Sequence, residues 1–373
     1  MPRSGDIQAA EGNCLNTPKI YLIAEAGVNH NGSLEIAQRL VDISAKAGAD
    51  AIKFQTFKAD QLATRNAPKA EYQIQTADAA ESQFEMLRKL ELSAESHCVL
   101  FEQCRKLGIE FLSTPFDIDS LRFLASTLDV PRIKLASGDI TNAPLLLEAA
   151  KQGRPLILST GMSTPEEIEE ALGVIAFGLT TPAAPPARLA FRQAFGSNAG
   201  RLALQATVTL LHCTSEYPAP FEEVNLRAMH TLRERFGLPV GLSDHSPGIA
   251  VAVAAAALGA IIIEKHFTLD RSLPGPDHRA SLEPAELAAM IKSVREVNLA
   301  LGDGVKRPMP TESRNIAVAR RSIVALRQIG KGELLTEENI GARRPGTGIS
   351  PMHLWDWLGK SASRNFGAGE PID

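Results

Sequence analysis

Eight short runs of branched and apolar residues recur along this chain, each followed by a polar turn and a stretch of helical period. That repeat limits the possible folds more than any other feature. The runs are Ile20–Glu25, Ala51–Gln55, Glu110–Ser113, Arg132–Ala136, Pro155–Ser159, Thr207–His212, Pro239–Leu242 and Ala260–Lys265. They show too little polar alternation for strands with one face in water, and they suit a parallel sheet covered on both faces. The stretches between them carry helix punctuation. Ser33 can cap a helix whose face is Ile36, Leu40 and Val41, with Gly48 just past its end. Thr164-Pro165-Glu166-Glu167 supplies a cap, a first-turn proline and a capping-box glutamate. Eight strands, each followed by helix, across residues 19–305 are what a (β/α)8 TIM barrel requires. A doubly wound open sheet is the rival, but no GxGxxG follows the first run.

Two connections are long. Residues 56–109 hold a helical excursion marked by Phe84, Leu87, Leu90, Val99, Leu100 and Cys104. Residues 177–206, with Ala183-Ala184-Pro185-Pro186, read as a surface insertion without a core of its own, facing solvent. Residues 1–18 lack any period and read as a flexible tail. Composition changes after residue 305. Residues 306–373 carry eleven Lys and Arg against seven Asp and Glu, net +4, whereas the rest of the chain is net −8. Both tryptophans, Trp355 and Trp357, fall in this tail, and glycine turns divide it into short segments. The expectation is a linker over 306–315 and a small β-rich domain over 316–373.

The net charge of −4 argues against nucleic acid as a partner, since that leaves a basic footprint. No run reaches the ~18–20 apolar residues that cross a bilayer, so no membrane partner is expected. Cys14, Cys98, Cys104 and Cys213 form no CxxC pair and read as reduced thiols, and the first residues lack a secretory pattern. A cytoplasmic protein is expected.

A barrel carries its site at the C-terminal ends of its strands, and unusual polar residues gather there. Run one ends in Glu25, run two holds Lys53 and Gln55, and run three leads into Ser113 and Thr114. Run four carries Lys134 and leads to Ser137 and Asp139, and run five ends in Ser159 and Thr160. The sixth ends His212-Cys213-Thr214-Ser215, the seventh leads to Ser243-Asp244-His245, and Glu264 and His266 share a face of the eighth. Each residue alone has an ordinary structural explanation. Together they displace the Val, Ile and Leu that a barrel core normally places there. Two lysines with several hydroxyls suit an anion, phosphate above all. Two histidines with nearby carboxylates (Glu25, Asp244, Glu264) suit a divalent cation that polarises a carbonyl.

The segments Ile23-Ala24-Glu25-Ala26-Gly27-Val28-Asn29-His30-Asn31-Gly32, Ile52-Lys53-Phe54-Gln55-Thr56, Ser113-Thr114-Pro115-Phe116 and Lys134-Leu135-Ala136-Ser137-Gly138 resemble the sialic acid (N-acetylneuraminate) synthase family. So do Ser159-Thr160-Gly161-Met162, Leu242-Ser243-Asp244-His245, Glu264-Lys265-His266-Phe267 and Pro274-Gly275-Pro276-Asp277-His278. The tail, with Arg343-Arg344-Pro345-Gly346-Thr347-Gly348, resembles that family's antifreeze-like (SAF) domain. The resemblance implies metal-dependent condensation of phosphoenolpyruvate with N-acetylmannosamine, giving N-acetylneuraminate and phosphate. Its alternative is a synthase for a related nonulosonic acid such as legionaminic acid, whose acceptor is a 6-deoxy diacetamido hexose. A 9-phosphate synthase and an inactive sugar-binding relative are the remaining readings.

By the same resemblance His245 and His266 bind the metal, Mn²⁺ with Mg²⁺ or Co²⁺ as substitutes, and Glu25 sits by the reacting carbons. Lys53, Thr114, Lys134, Ser137, Ser159 and Ser215 hold phosphoenolpyruvate. Gln55, Asp139, Tyr217 and Asp277 contact the sugar, with Arg344 reaching in from the neighbouring subunit of a domain-swapped homodimer. Asp139 stands where bacterial members often have Glu, and Ser215 where some have Asn.

Overall fold

The structure is a computed structural model and describes residues 19–70 and 81–373. The expected tail, with Cys14, lies outside the described residues. Eight strands form one parallel sheet: β1 (Tyr21–Gly27), β2 (Ala51–Thr56), β3 (Glu110–Pro115), β4 (Ile133–Leu135), β5 (Leu156–Ser159), β6 (Val208–Cys213), β7 (Val240–Asp244) and β8 (Ile262–His266). Their order is β3-β2-β1-β8-β7-β6-β5-β4, with β3 and β4 lying side by side so that the sheet nearly closes on itself. Every expected run is a strand, with ends displaced by a residue or two. The barrel expected from the sequence is present.

Helices cover the outside. The helix Leu34–Ala47 is capped by the Ser33 side chain, which accepts from the Ile36 N–H, and ends at Gly48 with φ 84°. The helix Pro165–Thr180 starts with the Thr164–Glu167 capping box. In the first excursion, helices Gln83–Leu90 and Ala94–Leu107 bury Phe84, Leu90, Leu100 and Cys104, while Val99 faces outward. Among the described residues, no helix is long and apolar enough to cross a membrane.

The second long connection differs from its expectation. Residues 177–206 are mostly helical, as the end of Pro165–Thr180, then Arg188–Gly196, then Asn198–Thr207. The Phe191 ring meets Phe177 edge-on at 5.1 Å, and Ala194 and Leu204 are buried in the barrel's outer core. A Cβ on Gly173 would lie 3.0 Å from the Phe191 carbonyl oxygen, so glycine permits this close approach. The segment has no core of its own because it borrows the barrel's.

The barrel interior is built in layers. Ile23, Ala51, Leu112, Ile157, Leu211 and Ile262 form a separate apolar cluster. Side chains two residues apart share a strand face. One inward step above each member of this plug therefore stand Glu25, Lys53, Thr114, Ser159, Cys213 and Glu264. The sheet that buries the plug thus sets a polar ring on top of it.

Residues from Gly304 to Asp373 form a second compact unit. Its helix Pro310–Ala319 occupies much of the expected linker. The antiparallel pair β9 (Ser322–Ala325) and β10 (Ile340–Arg343) follows, around a core of Ile323, Ile329, Leu335, Ile340, Phe366 and Ile372.

Candidate active site

The polar ring lines a cavity of about 450 Å³ at the C-terminal ends of the strands. A larger groove of about 690 Å³ lies between the helices Pro165–Thr180 and Arg188–Gly196. Its carboxylates are engaged: Glu170 pairs with Arg188 of the same groove, Glu166 and Glu169 pair with Arg235, and Glu167 accepts from the Thr164 N–H. The candidate residues gather in the barrel mouth.

One half of that mouth is cationic and hydroxylated. Lys53 Nζ lies 2.8 Å from Glu25 Oε2 and donates to Thr114 Oγ1 at 3.0 Å. Lys134 Nζ donates to Ser159 Oγ at 2.7 Å. Glu264 stands between the lysines, 3.7 Å from Lys53 and 3.6 Å from Lys134, and accepts from Ser243 Oγ at 2.9 Å. All four charged groups are at most 3% exposed. Burial pushes Glu25 well above the usual carboxylate range, against the pull of Lys53. Burial also pushes Glu264 up, but Lys134, Lys53 and the Ser243 hydroxyl outweigh it and hold it below its ordinary value. Two carboxylates of one ring are thereby set apart, one inclined to carry a proton and one ionised.

Beside Lys134 the backbone closes in. The Gly161 N–H donates to Ser137 Oγ at 2.9 Å. A Cβ at Gly161 would sit 2.3 Å from Ser215 Oγ and 2.9 Å from Ser137 Oγ, so only glycine lets the chain come this near both hydroxyls.

The other half is aromatic. His245 and His266 have ring centroids 5.4 Å apart, and Tyr217 lies over His245 at 4.1 Å and edge-on to His266 at 5.5 Å. His245 Nδ1 donates to the Thr214 carbonyl oxygen at 2.7 Å, which leaves Nε2 as the lone-pair nitrogen. His266 Nδ1 is buried without a hydrogen-bond partner, 3.7 Å from Asp277 Oδ2. Burial raises Asp277 to about 6, opposed by His245 and Lys53. An orphaned buried imidazole nitrogen beside a second one of fixed tautomer fits a cation held by two histidines, with other positions left to water and substrate. Among the described residues no group of three His, Cys, Asp or Glu forms an all-protein cage.

Strand β1 adds a local irregularity. Its register with β2 shifts between Glu25 and Gly27, where Gly27 has φ 53°. A Cβ there would lie 3.2 Å from Glu25 Oε1, 3.3 Å from His266 Cε1 and 3.4 Å from Asp277 Oδ2. Gly27 is thus the backbone wall of the space those three side chains share.

Glu25, Lys53, Gln55, Thr114, Lys134, Ser137, Ser159, Ser215, Tyr217, His245, His266 and Asp277 all line this one cavity. Asp139 does not. It lies in the 3-10 turn Ser137–Asp139 and accepts from Asn142 Nδ2 at 3.0 Å, a direction that run spacing does not encode. Arg344 belongs to the second unit, where its Nε donates to the Ala319 carbonyl oxygen. From the sequence, Glu264 has only a general part as one of several carboxylates. Its period-two spacing from His266 is the signal that it stands at the centre. Gly27 and Gly161 have no role legible in the sequence, because their importance lies in space that no spacing rule measures.

The NeuB family model matches residues 40–306 and the SAF domain model residues 320–373. The chain is 46% identical over 354 residues to an N,N'-diacetyllegionaminic acid synthase of Campylobacter jejuni, covering 95% of this chain and 99% of that protein. It is 45% identical over 352 residues to the synthase of the same name from Legionella pneumophila, covering 94% and 93%. The crystal structure of an N-acetylneuraminic acid synthetase from Leptospira borgpetersenii, in complex with citrate, superposes with a TM-score of 0.63 at 33% identity, covering 80% of this chain and 91% of that one. Barrel and tail thus agree with the matches in sequence and in fold, and the chain belongs to the NeuB family of sugar-acid synthases, ending in a SAF domain.

Proposed function

We propose that this chain condenses phosphoenolpyruvate with a 6-deoxy diacetamido hexose, the reaction of an N,N'-diacetyllegionaminic acid synthase. The expected acceptor, N-acetylmannosamine, gives way to the alternative on two grounds. Identity is 46% and 45% to two diacetyllegionaminic acid synthases, against 33% to the N-acetylneuraminic acid synthetase. One wall of the cavity is also apolar, formed by Val28, Leu62, Met86, Leu87 and Leu90. A sugar with a C6 methyl and two acetamido methyls buries more apolar surface there than N-acetylmannosamine does.

The observation that carries the reading is the division of the cavity. Lys53 and Lys134, with Thr114, Ser137, Ser159 and Ser215, offer cationic and hydroxyl donors to the phosphate and carboxylate of phosphoenolpyruvate. His245 and His266 hold the divalent cation, Mn²⁺ by resemblance, which when bound polarises the acceptor aldehyde. Tyr217, stacked on His245, covers that end of the site, and Gln55 and Asp277 line the acceptor side. In the overall reaction C3 of the enol bonds to the aldehyde carbon, water adds at C2, and the C2–O bond to phosphate breaks. Glu25, between Lys53 and the Gly27 wall and inclined to carry a proton, is placed to give that proton to the aldehyde oxygen as the carbon–carbon bond forms and then to take one from the water that adds at C2. The homodimer with Arg344 supplied by the neighbouring subunit belongs to the same reading and rests on the resemblance; the cytoplasmic location rests on the cysteines, which read as reduced thiols.

The test is phosphate release from phosphoenolpyruvate with Mn²⁺ and a panel of hexosamines. The diacetamido 6-deoxy sugar should exceed N-acetylmannosamine in kcat/KM by at least about tenfold, the value of one or two well-packed methyls. Preference for N-acetylmannosamine or its 6-phosphate would overturn the acceptor. No phosphate release with any hexosamine would overturn the reaction.

A further inference from the structure

Strand alternation predicts that Asp244 and Lys265 face away from the cavity, since Ser243, His245, Glu264 and His266 line it and these two do not. An outward position on a parallel barrel strand normally carries an apolar residue packed under helices. Here it carries two opposite charges, Lys265 at 0% and Asp244 at 2% exposure. They are register partners on β7 and β8, and Lys265 Nζ donates to Asp244 Oδ2 at 2.8 Å. The same ammonium donates to the Ser246 carbonyl oxygen. The other Asp244 oxygen, Oδ1, accepts from the Ser246 N–H at 2.9 Å and from its hydroxyl at 2.6 Å.

The pair has a fixed relation to the two histidines in sequence: Asp244 precedes His245 and Lys265 precedes His266. Stability alone does not account for it, because replacing a buried ion pair with apolar groups of like volume is often neutral or stabilising. What the pair does is join two strand ends and the turn after one of them, directly behind the imidazoles.

From this we infer that Asp244 and Lys265 are positioning residues, a charged staple that fixes the spacing and orientation of His245 and His266 for a divalent cation. The inference rests on the metal reading given under Proposed function. The staple acts through the backbone: Lys265 locks the β8 end to the 244–246 turn, and Asp244 shapes that turn through Ser246. The Thr214 carbonyl and the Tyr217 ring stacked over His245 then set that imidazole. Support of this kind behind metal-binding histidines typically contributes 10–100-fold in affinity.

Lys265→Met alone leaves a buried carboxylate without its cation, which is destabilising in itself. The informative protein is therefore the full-length double variant Asp244→Asn/Lys265→Met, which removes both charges and keeps an acceptor for Ser246. Mn²⁺ affinity is read by titration with electron paramagnetic resonance, after chelator treatment, and folding by thermal unfolding. We expect a wild-type-like unfolding midpoint, Mn²⁺ binding weaker by about 10–100-fold, and phosphate release restored by raising Mn²⁺. The KM for phosphoenolpyruvate should stay unchanged, because Lys53, Lys134 and their hydroxyls are untouched. His245→Ala should abolish Mn²⁺ binding. A folded double variant that binds Mn²⁺ within about twofold of wild type, while His245→Ala does not bind it, would overturn the staple alone. A wild type that binds no Mn²⁺ would overturn the metal reading and the staple with it. A double variant that fails to fold would assign the pair to stability and overturn the positioning role.

Discussion

Replacing Gly27 by alanine separates backbone strain from crowding of the site. At φ 53° an alanine occupies the left-handed region, which costs about 1–2 kcal/mol for an L-residue. The added methyl also lies 3.2 to 3.4 Å from Glu25 Oε1, His266 Cε1 and Asp277 Oδ2. Each of those atoms has to retreat by a few tenths of an ångström, and all three belong to the proposed reaction space. Misplacement on the 1 Å scale costs about 100-fold in rate, so Gly27→Ala should lower kcat/KM for phosphate release by roughly 10–100-fold. Gly153 is the control. It has φ 64° and nothing within 4 Å of where an added methyl carbon would lie, so Gly153→Ala carries similar strain without the crowding. Both variants should lose about 1–2 kcal/mol of stability, and only Gly27→Ala should lose activity. Activity of Gly27→Ala within twofold of wild type, or equal losses in the two variants, would refute the claim that this wall shapes the reacting constellation.

Three further outcomes follow from the same geometry. Lys134→Ala should raise the KM for phosphoenolpyruvate by about 10–100-fold through loss of charge-assisted bonds, seen in saturation curves; a change confined to the sugar KM would contradict the anion assignment. His30 is held at about 3 rather than 6.5, chiefly by burial; it is neutral when folded and charged when unfolded below 6.5, so stability is present above 6.5 and falls by about 1.4 kcal/mol per pH unit below it, about 2 kcal/mol by pH 5. His278, His266, His97 and His212 are also held down by burial, so the test is a difference: in urea unfolding His30→Gln should lose about 2 kcal/mol less than wild type between pH 6.5 and 5. On the proposed domain-swapped homodimer, Arg344→Ala mixed with His245→Ala should regain part of the activity after subunit exchange, and no rescue in proven heterodimers would refute the trans placement.

Much of the barrel and of its mouth was legible because strand period is itself a geometric quantity. Once Ile23, Ala51, Leu112, Ile157, Leu211 and Ile262 are inward, the residues two positions on must be inward as well. That places Glu25, Lys53, Thr114, Ser159 and Glu264 in one ring without knowledge of any loop. The insertion was harder: its proline-rich middle, Ala183-Ala184-Pro185-Pro186, masked the apolar face of the helices around it. Asp139 was placed by motif, but its direction comes from a 3-10 turn and from Asn142, which period does not reach.

The features that escaped the sequence share a physical cause: each is decided between segments far apart in the chain. Asn29 Nδ2 donates to the Phe267 carbonyl oxygen at 2.8 Å and to Ser281 Oγ at 2.9 Å, linking the loop after β1 to the region after β8 across more than 230 residues. The Gly27 wall has meaning only because His266 and Asp277 arrive opposite it. Asp244 reads in the sequence as a carboxylate beside the metal histidines, yet it faces away from them, and only register shows that it pairs with Lys265. Period assigns a side chain to a face, whereas register and loop closure decide which groups meet there. A catalytic ring drawn from equivalent strand ends is therefore readable in advance. The shell that orients it becomes visible only when the strands are laid side by side.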